Sequence, residues 1–481
     1  MRTGYALRWW ALALLCAAQF IVILDTSIIG VALPAIQDAL GLSPAGLQWV
    51  FNAYVIVFGG LLLLGGRLAD LLGRRGVFVT GFGTLAAGSA LAGLADVDTV
   101  LLVGRAVQGF GAALIAPAAL SIVMEVFTDP RELAKAFGFW GGAAAAGGTA
   151  GVFLGGVITE WLSWRWTFLI NVPLAALVLL AAPLVLPRGR REAGSVDVAG
   201  AVLVTVPLVL AVYALVTGEQ AGWLSLQTLG LLAISGLLLV AFVVTQARRR
   251  EPLVPLSIFR APNLAMGNLV MALLGAAWIP MWFFLNLYLQ EVLHYSALGS
   301  GLALVPMTTL IMFLMIVATP RVSSRFGFPS VLGAGLFVLA GSMLLMAALP
   351  IDGSFWLHVL PVSLLGALGM SLAYVPATMA GMSGARPEES GLASGLINTT
   401  YQIGSALGLA GMVAVSTTFA DAARTQGVEA VAAMSSGFSA AFVGAALIAG
   451  LGAVVALASI RAPARGSADE ADPEAKRRLA A

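Results

Sequence analysis

Few residues in this chain could do chemistry, and most of them lie among apolar neighbours. Asp25 sits within an apolar run over 8–33, and Arg105 and Gln108 sit one turn apart within another over 100–125. A charge at mid-bilayer depth costs roughly 2.5–3.5 kcal/mol. Desolvation disfavours the charged form of a carboxyl group, so a carboxyl at such a depth can trade a proton near neutral pH. It can take the proton from one side and lose it to the other when cargo arrives. The bland alternative for Asp25 is a structural cap at a helix break, since Thr26 and Ser27 follow it. Arg105 would be costly alone. It is expected to be satisfied by Asp25, Gln108 or backbone carbonyls, either tuning proton affinity or forming a purely structural pair.

Other chemistries are excluded by composition. The chain has one cysteine, Cys16, and two histidines, His294 and His358, at unrelated positions. No disulfide, Cys-rich metal site or HExxH pair can be built from them. No metal or cofactor is expected. GxxxxGK[ST] is absent, and no nucleophile and base pair up within the apolar runs, so ATP-driven transport and a membrane enzyme are both disfavoured.

The elements that must position Asp25 and Arg105 follow from the solvent. Of 481 residues, 60% are hydrophobic and only 10% charged, with a mean hydropathy of +0.98. A soluble domain carries about 25% charged residues, so lipid is the solvent here, and a nucleic-acid binder is excluded. Apolar runs long enough to span a bilayer fall at 8–33, 47–68, 77–95, 100–125, 134–158, 167–187, 197–217, 225–247, 264–290, 299–320, 329–349, 356–380, 395–419 and 437–460. The first is read as a retained helix, because no small-residue cleavage site ends it. The fourteen runs imply an all-α polytopic membrane protein with both ends on one side.

Charge assigns the side. Of the 25 lysines and arginines, 22 fall on the connections and termini of the N-terminal side. Only Arg165 and Arg424 lie opposite, and Arg105 is inside a helix. The positive-inside rule places both termini in the cytoplasm. Polar connections are expected at 188–196, 248–263, 381–394 and 420–436, with a charged, disordered tail over 462–481. Trp9, Trp10, Trp49, Trp161, Trp164, Trp166, Trp223 and Trp356 are expected at membrane interfaces.

Two further patterns concern packing and cargo. Gly147, Gly151, Gly155 and Gly156 give the fifth run a small-residue face for close helix packing. Trp278, Trp282 and Asn286 repeat every four residues, and aromatic faces suit planar or cationic organic molecules. With Gln19, Tyr54, Asn398 and Tyr401 they are candidates for a cavity near the midplane, lipid-facing or interhelical packing being the alternative. Glu125 reads as an exposed carboxylate at headgroup level.

A segment recurs. Gly66-Arg-Leu-Ala-Asp70-Leu-Leu-Gly73-Arg74-Arg75 aligns with Pro320-Arg321-Val-Ser-Ser324-Arg-Phe-Gly327, each after the second helix of a six-helix set if the helices over 197–247 are an insertion. The predicted organisation is therefore 6+2+6: residues 1–190, an inserted pair over 191–250, residues 251–461, and the tail.

Taken with these segments, the chain resembles the fourteen-helix drug:proton antiporters of the major facilitator superfamily. The resemblance rests on Gly66 to Arg75, on Leu24-Asp25-Thr-Ser-Ile-Ile-Gly30-Val-Ala-Leu-Pro34, on Arg105-x-x-Gln108-Gly109-x-Gly111 and on Trp164-Arg165-Trp166-Thr-Phe168-x-Ile-Asn171-x-Pro173. It implies the major facilitator fold and export of small lipophilic compounds such as drugs or antibiotics in exchange for protons. It further implies a cell-membrane protein, expected to act as a monomer, in which Gly66, Asp70, Gly73, Arg74 and Arg75 latch two six-helix halves. The family's fifth-helix motif GxxxGPxxGG is altered, because Val152 replaces its proline. A same-fold transporter of a metabolite, siderophore or lipid, or an uptake symporter, is the rival reading.

Overall fold

The computed structural model describes residues 2–127, 129–187, 197–249, 252–260, 263–382 and 390–461. Every regular element among them is helical. Lipid offers no partner to a backbone N–H or C=O, so each spanning segment must close its hydrogen bonds internally. Among the described residues, fourteen helices are long and apolar enough to cross a membrane. They are α1 (Arg2–Leu40), α2 (Pro44–Leu72), α3 (Arg74–Gly93), α4 (Asp98–Val126), α5 (Pro130–Trp161) and α6 (Asn171–Val185, after a short turn Trp166–Leu169). Then come α7 (Val198–Ala221) and α8 (Leu226–Arg248). The last six are α9 (Leu264–Leu287, continuing as a π-helical turn Tyr288–Val292), α10 (Ala297–Phe313, continuing through Leu314–Ala318 and Thr319–Phe326) and α11 (Phe328–Met346). They end with α12 (Phe355–Val359 running into Leu360–Met382), α13 (Ser390–Thr425) and α14 (Ala430–Ser459).

Several helices outrun their apolar stretches. The polar connection expected over 420–436 shrinks to the residues between Thr425 and Ala430, and α13 starts at Ser390, inside the connection expected over 381–394. Headgroups and water tolerate polar side chains on a helix whose backbone bonds are already closed, so helix ends need not coincide with hydrocarbon edges. The tail over 462–481 and residues 188–196 lie outside the described residues.

Starts and stops follow local chemistry. Ser43, Ser225 and Ser296 accept hydrogen bonds from Gly46, Thr228 and Gly299 at the first turns of α2, α8 and α10, as capping residues do. Gly73 (φ 99°) ends α2 and Gly327 (φ 80°) ends α10. Each donates its N–H four residues back, to Ala69 and to Ser323. The aligned segments thus share one turn geometry.

Packing joins α1 with α5, and α4 with both α2 and α3; among the last six, α9 packs with α13 and α14, and α11 with α12 and α14. Contacts between these groups run through α5 with α10 and α2 with α13, and α7 touches both α2 and α13. We call the face with the α1–α2 and α13–α14 connections the distal face. Near it Gln290 donates to the Val31 carbonyl (3.1 Å), and the Leu298 amide donates to Glu160 (2.9 Å).

The α7–α8 pair is fastened at its base. Buried Asp197 accepts from the Gly200 amide (2.7 Å), from Gln246 (2.7 Å) and from Arg249. Gln246 in turn accepts from the Val254 amide (2.9 Å). Burial pushes the Asp197 carboxyl up, but the bond from Gln246, the Gly200 amide, the Arg249 charge and the Leu253 amide together outweigh it. The carboxyl is held below its ordinary value.

Tryptophans largely line the periphery, with Trp10, Trp161 and Trp356 about 70% exposed. Trp164 does not: it is 5% exposed, packed edge-on against Phe168 and overlain by the Arg165 guanidinium. A tryptophan at a helix start can turn inward as readily as outward.

Candidate functional site

A buried polar cluster inside the bundle is built on the acid that the sequence singles out. Asp25 and Arg105 are both fully buried and pair at 3.0 Å. Gln108 donates to the other carboxylate oxygen (2.9 Å), and Asn171 donates to the same oxygen (2.5 Å). Arg105 also donates to Gln108 (2.8 Å) and, through Nε, to the Val50 carbonyl (2.9 Å). Gln108 reaches Ser89 (2.7 Å). The cluster draws on α1, α2, α3, α4 and the first residue of α6. The Arg105 guanidinium lies 4.5 Å over the Tyr54 ring and 5.8 Å from the Phe168 ring, a geometry in which aromatic faces attract a cation. Buried charges are tolerated when paired and hydrogen-bonded, and both conditions hold.

Among the described residues, three atoms at this cluster have no hydrogen-bond partner: Arg105 Nη2, the Tyr54 hydroxyl and Asn171 Oδ1. The Asp25 carboxyl itself is satisfied, with no exposed side-chain surface. Access to the carboxyl from water would require the surrounding helices to part.

Asp25, Arg105 and Gln108 are brought together. Ser89 and Asn171 complete the cluster. Asn171 lies in a motif visible in the sequence, whereas Ser89 is one small polar residue in an apolar run and carries no signal. The Val50 carbonyl leaves no trace in the sequence at all.

The candidate latch gathers within the first six helices. Gly66 faces Pro117 of α4. Arg74 pairs with Glu125 at the end of α4 (2.9 Å), so Glu125 is half-buried and paired, where an exposed carboxylate was expected. Arg75 donates to the Leu186 and Pro183 carbonyls at the end of α6 (3.2 and 3.4 Å), where exposed carbonyls welcome a cation. The side chains of Asp70 and Ser324 lie outside the described residues.

The glycine face of α5 lies against α1. A β-carbon at Gly147, Gly151 or Gly155 would come within 2.7 Å of Phe20, Ser27 or Ile28, and one at Gly156 within 2.8 Å of Ala297. Val152, where a proline was expected, is buried within an unbroken α5.

The candidate cargo residues are dispersed. Tyr54 belongs to the Arg105 cluster. Trp282 is wedged against Gly30 of α1, where a β-carbon would stand 1.9 Å from the indole. Trp278 and Asn286 are buried, and neither side-chain polar atom of Asn286 has a partner. Tyr401 packs edge-on against Tyr374 with ring centroids 5.7 Å apart. Gln19 is half-buried and Asn398 exposed.

A sequence model of the Major Facilitator Superfamily matches residues 15–409. The cephamycin export protein CmcT of Amycolatopsis lactamdurans is 40% identical over 84% of this chain and 84% of its own. The puromycin resistance protein pur8 of Streptomyces alboniger is 37% identical over 85% of this chain and 82% of its own. In fold, the chain is similar to a bacterial homologue of the human lysosomal transporter Spinster, with a TM-score of 0.69 at 17% identity, over 94% of this chain and 97% of that one.

Proposed function

The chain belongs to the Major Facilitator Superfamily, and on that premise we propose that it is an antiporter that exports small lipophilic organic compounds, antibiotics among them, in exchange for protons. It is a multi-pass membrane transport protein rather than an enzyme. Drug efflux is supported by relatives whose names record antibiotic export and resistance. Proton coupling rests on one observation, the Asp25–Arg105 pair sealed inside the first six helices.

Helices α1–α6 and α9–α14 form two halves that rock about a central route, with α7–α8 inserted between them. The protein works as a monomer in the cell membrane with both termini in the cytoplasm. When Asp25 takes a proton it ceases to balance Arg105, and the bonds that tie α1 to α4 and α6 weaken. Gly30 lies on α1, five residues beyond Asp25 in the sequence. Loosening α1 therefore also loosens the distal closure where Gly30 meets Trp282. At the opposite face the turn from Gly66 to Arg75 ties α3 to α4 and α6, so that the first half rocks as one body. Each proton carried inward yields about 2.3 kcal/mol per 100 mV.

The test is uptake of a lipophilic dye into proteoliposomes under an imposed proton gradient. Wild type accumulates the dye only with the gradient, and Asp25→Asn abolishes gradient-driven accumulation while the purified protein stays folded. Undiminished gradient-driven uptake by Asp25→Asn would make the pair structural only.

A further inference from the structure

A cavity of about 380 Å3 opens at the distal face, beyond the Gly30–Trp282 contact. Phe283, Phe284 and Leu287 of α9 and Phe438 of α14 provide its apolar surface; Glu291 of α9 and Asp421 with Arg424 of α13 bring charge to it. None of the residues expected at the midplane lines it. Its volume falls within the range of small-molecule sites, about 300–1,000 Å3.

The charges decide what it would take. Arg424 is committed to Asp421 at 3.0 Å. Glu291, half-buried, forms no hydrogen bond or ion pair among the described residues. Asp38 adds to the negative field around it and His294 opposes that field. One carboxylate is thus left unspent beside an aromatic surface. Its backbone is fixed as well. Glu291 lies on the π-helical turn Tyr288–Val292, a feature that recurs at functional sites, and the Tyr288 hydroxyl anchors that turn to the Pro350 carbonyl (2.5 Å).

We propose that this distal cavity binds a lipophilic organic monocation, with Phe283, Phe284 and Phe438 receiving its apolar body and Glu291 its charge. As a stop on the way out it rests on the export reading above; as a binding site it stands apart from it. An anion of the same shape is refused, because among the described residues the cation lining the cavity, Arg424, is paired with Asp421.

The experiment measures equilibrium binding of radiolabelled tetraphenylphosphonium to the purified full chain in lipid nanodiscs, with no proton gradient. Glu291→Gln is expected to weaken binding by about tenfold, a modest part of the attraction between opposite charges near a protein surface. It should leave the melting temperature nearly unchanged, since Glu291 has no hydrogen bond or ion pair to lose among the described residues. Leu287→Trp, which fills the cavity, should weaken binding as much. Tetraphenylborate, equal in shape and opposite in charge, should not bind. Equal tetraphenylphosphonium affinity in wild type and Glu291→Gln overturns the site, as does equal binding of tetraphenylborate. Failure of gradient-driven uptake alongside Glu291-dependent binding would overturn the export reading and leave the site intact.

Discussion

The indole of Trp282 occupies the space beside Gly30, so closely that a β-carbon at Gly30 would stand 1.9 Å from its ring. The contact joins α1 to α9, the first six helices to the last six. A crowded contact of this kind admits a small residue on one side only. Gly30→Ala should cost about 1–3 kcal/mol through overpacking and should depress dye uptake. Trp282→Leu added to Gly30→Ala should restore part of both. Thermal melting and proteoliposome uptake of the two single variants and the double variant check this, and strict additivity would count against the contact.

Asp25 and Arg105 predict a second non-additive pair. Removing either partner of a buried ion pair costs about 3–5 kcal/mol, because the other charge is left uncompensated. Asp25→Ala and Arg105→Ala should therefore each lower the melting temperature sharply. Their double variant should be more stable than the sum of the two losses predicts. If it loses the sum, the two charges do not support one another.

The turns at Gly73 and Gly327 should fail alike. Both hold positive φ with extended ψ, 124° and 142°, a region nearly restricted to glycine and costing about 1–3 kcal/mol for other residues. Gly73→Ala and Gly327→Ala should destabilise by that amount. Asparagine, which tolerates the left-handed helical region rather than this one, should not rescue either. Melting curves of the four variants decide the matter.

Asp197 predicts a pH dependence with a definite sign. Its carboxyl is held below the ordinary value in the folded protein. The stability it adds is complete above the ordinary carboxylate value and is lost as pH falls through the lowered one. The protection of amides at the first turn of α7, measured against their intrinsic exchange rate at each pH, should therefore be high at neutral pH and fall in acid. Asp197→Asn should exchange faster already at neutral pH, with a flatter acid response. An identical acid response in the two proteins would place the effect elsewhere.

The number of helices was legible because hydrocarbon thickness fixes how long an apolar run must be, and Asp25 and Arg105 were conspicuous because charges in such runs are costly. Their pairing with Gln108 was also within reach, since each needed a partner and few were available. Ser89, the Val50 carbonyl and the Tyr54 ring beneath Arg105 were not, because nothing about a serine, a backbone oxygen or one tyrosine says which neighbour it will meet. The same holds for Arg74. Its spacing in the motif said nothing of Glu125, which the end of α4 brings within 2.9 Å.

Sequence alone determined the solvent, the helical class, the spans and the costly acid, since each follows from the transfer energies of residues taken in order along one chain. Tertiary structure alone decided that Trp282 meets Gly30, that Asn171 reaches Asp25 and that Glu291 stands unpaired beside Phe283. Those depend on how helices rotate and approach in three dimensions, which is set by the shapes of all their side chains together.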